Sequence, residues 1–126
     1  AKQPERVLAI PSLGQVRYLS AIKHAAVVVG NSSSGIIEVP SLDVPTVNIG
    51  MRQKGRLAAR SVINCEPTTS SIKAALDVAL SRSYQSDGAE VVNPYGQGNT
   101  SKQIISMLKQ LQFTSVKSFY DVKVSD

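Results

Sequence analysis

A chain of 126 residues with 42% hydrophobic content has material for one hydrophobic core and is short for two ordinary domains. Its 14 Lys and Arg against 9 Asp and Glu give a net charge of +5, which favours an anionic partner, but the basic residues are scattered and form no tail of the kind that binds nucleic acid. The lone Cys65 excludes an intramolecular disulfide, and its flanks "VINCEP" carry no metal-ligand spacing, so neither a metal nor a cofactor is expected and a reducing cytoplasm is the expected compartment.

The first residues, "AKQPERVLAI", lack an initiator Met and head into an apolar run, as expected of a piece of a longer chain. That run, "RVLAIP" (6–11), reads as a short buried strand. "GQVRYLSAIKHA" (14–25) follows as a helix, with Val16, Leu19, Ile22 and Lys23 or Ala26 at helical spacing. "AVVVG" (26–30) has no alternation, the pattern of a strand covered on both faces. After "NSSSG", the run "GIIEVPSL" reads as a short helix limited by Pro40. "VPTVNIG" (44–50) and "RSVINC" (60–65) are further strands, on either side of the polar loop "MRQKGRLAA". Helices are predicted over 70–82 and 99–112, with a turn-rich segment containing "NPYGQGN" between them. The tail 113–126 reads either as a docking segment or as a frayed end. No apolar run approaches the ~20 residues of a membrane span, and no secretory signal pattern is present, so no membrane partner is expected.

Strands alternating with helices across short Gly, Pro and Asn connections predict an α/β fold: a Rossmann-like parallel sheet with helices on both faces, a single domain over 1–112. In such a sheet ligands bind beyond the carboxyl ends of the strands, which is where "NSSSG" begins. With Gly35 opening the short helix, the N–H groups from Ser33 to Ile36 are expected to lack intrahelical partners. Serine hydroxyls donate to phosphate oxygens, and Gly35 lets a ligand come close. An ordinary helix cap by Asn31 or Ser34 is the competing reading, but a cap needs one side chain and this turn has three serines. Glu38, one turn beyond Ser34, either accepts a ribose diol or merely stabilises a first helical turn. Arg52, Gln53, Lys54 and Arg56 leave the next strand at the same edge, where guanidinium groups pair with phosphate; Lys54 reads as solvated. His24 reads as a helix-terminal residue, Cys65 as a buried thiol and Tyr95 as part of a turn. No P-loop, GxGxxG, HExxH or nucleophile elbow is present.

The stretch "GNSSSGIIEVPSLDVPTVNIGMRQKGR" (30–56), with "LGQVRYLSAIKHA" before it and "NPYGQGNTSKQI" after it, resembles the C-terminal domain of the hydrolysing UDP-N-acetylglucosamine 2-epimerases. The resemblance covers nearly the whole chain. It implies the nucleotide-binding half of a GT-B fold, with a UDP-sugar as partner. The diphosphate would be gripped by Ser32, Ser33, Ser34 and Gly35, and the ribose held by Glu38. Arg52, Gln53 and Arg56 match the family's "RQxGR" pattern.

In the family reaction UDP leaves by anti elimination across C1–C2, and water adds to the glycal to give N-acetylmannosamine. The resemblance places the acid and base groups in the N-terminal half, so no catalytic residue is assigned here and the chain alone is expected to be inactive. It also implies a homo-oligomer through the parent enzyme. Two alternatives stay open: a stand-alone UDP-sugar-binding domain, and the nucleotide domain of a non-hydrolysing epimerase or GT-B glycosyltransferase.

Overall fold

The computed structural model describes residues 3–81, 91–96 and 98–112. Strands β1 (Val28–Gly30), β2 (Thr46–Ile49) and β3 (Val62–Cys65) form a parallel sheet in the order β1-β2-β3. The register pairs Val29 with Val47 and Val47 with Ile63, so these side chains line one face. Val28, Thr46 and Val62 line the other. Helix α3 (Thr69–Ala79) covers the first face, burying Ala75 and Ala79 against Val47. Helix α1 (Gly14–Lys23) lies on the opposite side, where Ile22 joins Val39 and Val44 in a second cluster with Val28 against it. The α/β reading with a Rossmann-like parallel sheet and helices on both faces is thus the observed architecture. A compact unit ends at Tyr95, and a second begins at Gly96 and holds helix α4 (Thr100–Gln110). The tail 113–126 lies outside the described residues.

Three expectations need correction. Residues 6–11 are not a strand: Pro4–Arg6 form a 3₁₀ turn, and Val7, Leu8 and Ile10 are exposed with no ladder partner among the described residues. An apolar run makes a buried strand only when a neighbouring edge receives it, and among the described residues β1 pairs with β2 alone. For the same reason β1 is not covered on both faces, since Val29 on the α3 side remains 46% exposed. On α1, Val16 is 79% exposed, and the inward residues are Tyr18, Leu19 and Ile22. The i, i+4 pair Tyr18 and Ile22 defines the buried stripe.

"GIIEVPSL" divides into helix α2 (Ser34–Ile37) and a 3₁₀ turn over Val39–Leu42. Pro40 explains the division, because it has no N–H with which to continue the i→i−4 ladder. Asp43 then takes a left-handed conformation (φ 56°) and turns the chain into β2.

One close approach fixes how α2 sits on the sheet. A Cβ at Gly35 would stand 2.7 Å from Cγ2 of Thr46, and the Thr46 hydroxyl donates to the Gly35 carbonyl at 2.9 Å. Only glycine lets the helix backbone descend onto β2 here, so Gly35 sets the height of the serine turn above the strand ends. Gly35→Ala is expected to destabilise the protein by about 1–2 kcal/mol, overpacking outweighing the gain in helix propensity. Thr46→Ser, which removes the opposing methyl but keeps the hydroxyl, should restore most of that loss. Urea unfolding of both single variants and the double variant checks this; no loss in Gly35→Ala would contradict it.

Candidate functional site

Both β1 and β2 end in glycine-led turns at one edge of the sheet, with Gly30 opposite Asn48. Asn31 to Ser34 follow β1, and the loop from Gly50 to Arg56 follows β2. Parallel neighbours deliver both segments to the same side, which is the arrangement the sequence reading required.

The serine turn is wound more tightly than expected. Ser33, the residue before α2, is already helical in backbone angle (φ −61°, ψ −24°), and its side chain makes no capping bond. The Gly35 N–H donates to the Ser32 carbonyl, the Ile36 and Ile37 N–H groups to the Ser33 carbonyl, and the Ser34 N–H to Oγ of Ser32. The expectation of free amides from Ser33 to Ile36 is therefore corrected for three of them: 3₁₀-type bonds satisfy Gly35 and Ile36, and the Ser32 hydroxyl satisfies Ser34. A helix of one turn also has little macrodipole to offer. What the turn presents instead is hydroxyls. Ser32 accepts from an amide and Ser34 accepts from the Tyr18 hydroxyl at 2.8 Å, so each keeps its own proton to donate.

Gly35 lies buried under the turn, facing Thr46, and supports the serines from below. Glu38 caps the C-terminal end of α2, with an exposed side chain. It lines an open cavity of ≈ 660 Å³ together with Ile10, Leu13, Gln15 and Tyr18. Ser34 and Glu38 thus both border Tyr18, one on its hydroxyl and the other across the cavity it lines. Tyr18 carries no functional assignment from the sequence. Its signal was the i, i+4 relation to Ile22, which places a tyrosine on the core face where its hydroxyl requires a partner.

Arg52 and Arg56 are exposed on the loop after β2, whereas Gln53 between them is 7% exposed. The Gln53 amide nitrogen donates to the Asn31 carbonyl at 2.8 Å, and its oxygen accepts from Arg56 Nη1 at 3.0 Å. Gln53 therefore braces the serine turn against the basic loop with both ends of its side chain. Arg56 keeps its remaining guanidinium protons for other acceptors. Gly55, at φ 81°, supplies the left-handed step that closes this turn. Beneath the loop is a smaller cleft of ≈ 260 Å³, lined by Asn48, Asn64, Lys54 and Arg56 among others. Asn48 donates to Asn64 there, while its own buried Oδ1 has no partner among the described residues.

His24 is exposed at the C-terminal end of α1, and Cys65 ends β3, half-buried against the α3 cluster. Among the described residues no group of His, Cys, Asp and Glu is placed to hold a metal ion, and no helix is long and apolar enough to cross a membrane.

The brace makes a separable prediction. Gln53→Ala should cost about 1–3 kcal/mol of stability through its two lost hydrogen bonds. Arg52→Ala, at an exposed position, should stay within about 0.5 kcal/mol of the parent. Parallel denaturant titrations check the contrast, and equal effects would refute the brace.

The family model described as UDP-N-acetylglucosamine 2-epimerase matches residues 1–109. Polysialic acid biosynthesis protein P7 of Escherichia coli is 37% identical, over 83% of this chain and 28% of its own length. UDP-N,N'-diacetylbacillosamine 2-epimerase (hydrolyzing) of Legionella pneumophila is 33% identical, over 84% of this chain and 27% of its own length. UDP-N-acetylglucosamine 2-epimerase of Neisseria meningitidis is 38% identical, over 63% of this chain and 21% of its own length. The chain thus spans less than a third of each of these relatives. With the family model matched along most of its length, the chain belongs to the UDP-N-acetylglucosamine 2-epimerase family.

Proposed function

We propose that this chain is the nucleotide-binding half of a hydrolysing UDP-N-acetylglucosamine 2-epimerase, working in the cytoplasm. The hydroxyls of Ser32, Ser33 and Ser34, with Arg52 and Arg56, bind the diphosphate of UDP. Glu38 accepts the ribose hydroxyls within the cavity it shares with Tyr18. Gln53 and Gly35 hold these groups in place. The observation that carries the reading is the hydroxyl cluster itself: Ser33 makes no cap, and Ser34 is aligned by Tyr18 so that its proton is free for a ligand. The word "hydrolyzing" in the name of the Legionella relative supports the hydrolytic form of the chemistry.

In that chemistry a base in the parent enzyme's other domain removes the proton at C2. The C1–O bond breaks, and its electron pair passes to the oxygen of the departing UDP. Water then adds across the glycal, hydroxyl to C1 and proton to C2, giving N-acetylmannosamine. The contribution proposed for this chain is to stabilise the charge that develops on the leaving diphosphate, which prepositioned hydroxyl and guanidinium donors do without reorganisation. General acid and base groups are a separate requirement, assigned to the N-terminal domain. The chain by itself is accordingly proposed to bind without turnover.

Isothermal titration with UDP, UMP and uridine tests the reading. UDP should bind more tightly than UMP, and uridine most weakly. Glu38→Ala should weaken UDP by about ten-fold or more, the scale of lost hydrogen bonds to a charged acceptor. Equal affinity for UDP and uridine would overturn the role of the serines, and an unchanged Glu38→Ala variant would overturn that of the carboxylate.

A further inference from the structure

The segment Asn93-Pro94-Tyr95 is explained at the level of sequence as a turn, yet its side chains reach far beyond one. Asn93 is 7% exposed, and its amide nitrogen donates to the Ile37 carbonyl at 2.8 Å and to Oγ of Ser41 at 2.6 Å. Its oxygen accepts from the Tyr95 N–H at 3.0 Å, an Asx-turn closed across a proline whose φ is fixed. Tyr95 then directs its hydroxyl to the Leu57 carbonyl at 2.9 Å. One short, stiff segment therefore holds both α2 and the loop after β2.

The positions of these bonds matter more than their number. Ile37 is the last residue of α2, and its carbonyl has no acceptor role left inside so short a helix. The peptide plane joining Ile37 to Glu38 is pinned on both sides: the Glu38 N–H donates to the Ser34 carbonyl at 3.0 Å, and the Ile37 carbonyl accepts from Asn93. The Cα of Glu38 is thereby fixed relative to the serine turn. Leu57 directly follows Arg56, so the Tyr95 bond anchors the far end of the loop whose near end Gln53 ties to Asn31.

We propose that Asn93 and Tyr95 are positioning residues for the nucleotide site, Asn93 acting through Glu38 and Tyr95 through the Gln53–Arg56 loop. The proposal rests on the UDP-binding reading for its functional consequence, and on the hydrogen bonds alone for its structural one. Tyr95 is 41% exposed, so Tyr95→Phe removes one hydroxyl at the surface without threatening the fold.

The experiment compares the parent chain with Tyr95→Phe, Asn93→Asp and, as a neighbouring control, Val92→Ala, whose side chain is 61% exposed. In the ligand-free proteins, Tyr95→Phe should speed amide hydrogen exchange at Lys54 and Arg56, and Asn93→Asp should do so at Gly35 to Glu38. Val92→Ala should change neither. UDP affinity should fall about three- to ten-fold in Tyr95→Phe, the fold-change that corresponds to one neutral hydrogen bond, with the circular dichroism spectrum unchanged. Unaltered exchange in the loop and unaltered UDP affinity in Tyr95→Phe would overturn the proposal. If the parent chain binds no UDP, the nucleotide reading fails by itself, and the exchange pattern alone then decides whether the segment positions α2 and the loop.

Discussion

The carboxamide of Gln53 links two loops that leave neighbouring parallel strands. It donates to the carbonyl of Asn31 and accepts from the guanidinium of Arg56. Both loops begin at strand ends whose register is fixed by the sheet, so the side chain spans a gap that the fold has already set. A buried amide with both ends paired is a specific tie, because leaving either end unpaired carries the full cost of desolvation. The serine turn and the basic loop are consequently held as one surface. Beneath them the close approach of Gly35 to Thr46 sets the depth at which that surface lies.

This construction explains why the turn offers hydroxyls rather than backbone amides. Within the turn the amides of Ser34, Gly35 and Ile36 already have acceptors, and a one-turn helix has too few aligned dipoles to attract an anion strongly. Hydroxyls are also adaptable, since each rotates to suit its acceptor. For the proposed role, where charge grows on a diphosphate as it departs, donors already aligned by Tyr18 and by the turn are the useful kind.

Much of this was legible in the sequence, and the failures have physical causes. Three strands were readable from β-branched runs between turn residues, and α3 and α4 from their periodicity. The run over 6–11 misled because burial of an apolar strand depends on a neighbour, which periodicity does not reveal. Val16 misled because a helix has several self-consistent apolar stripes until tertiary contact selects one; here Tyr18 and Ile22 were selected. The serines and Glu38 stood out as chemistry-bearing residues beyond a strand end. Gln53 was singled out as part of a motif, but its role as a brace could not be, since its partner Asn31 is remote in sequence. The reach of Asn93 back to Ile37 was invisible for the same reason.

The proposed role requires the surface joined by Gln53 to receive the diphosphate of UDP. Its most direct test is to titrate the isotopically labelled chain with UDP and follow the backbone amide resonances. Binding at that surface should produce saturable shifts concentrated at Ser32 to Ser34, at Glu38 and across the loop from Arg52 to Arg56, with α3 left unperturbed. An absence of shifts at millimolar UDP, or shifts centred on α3 instead, would contradict it.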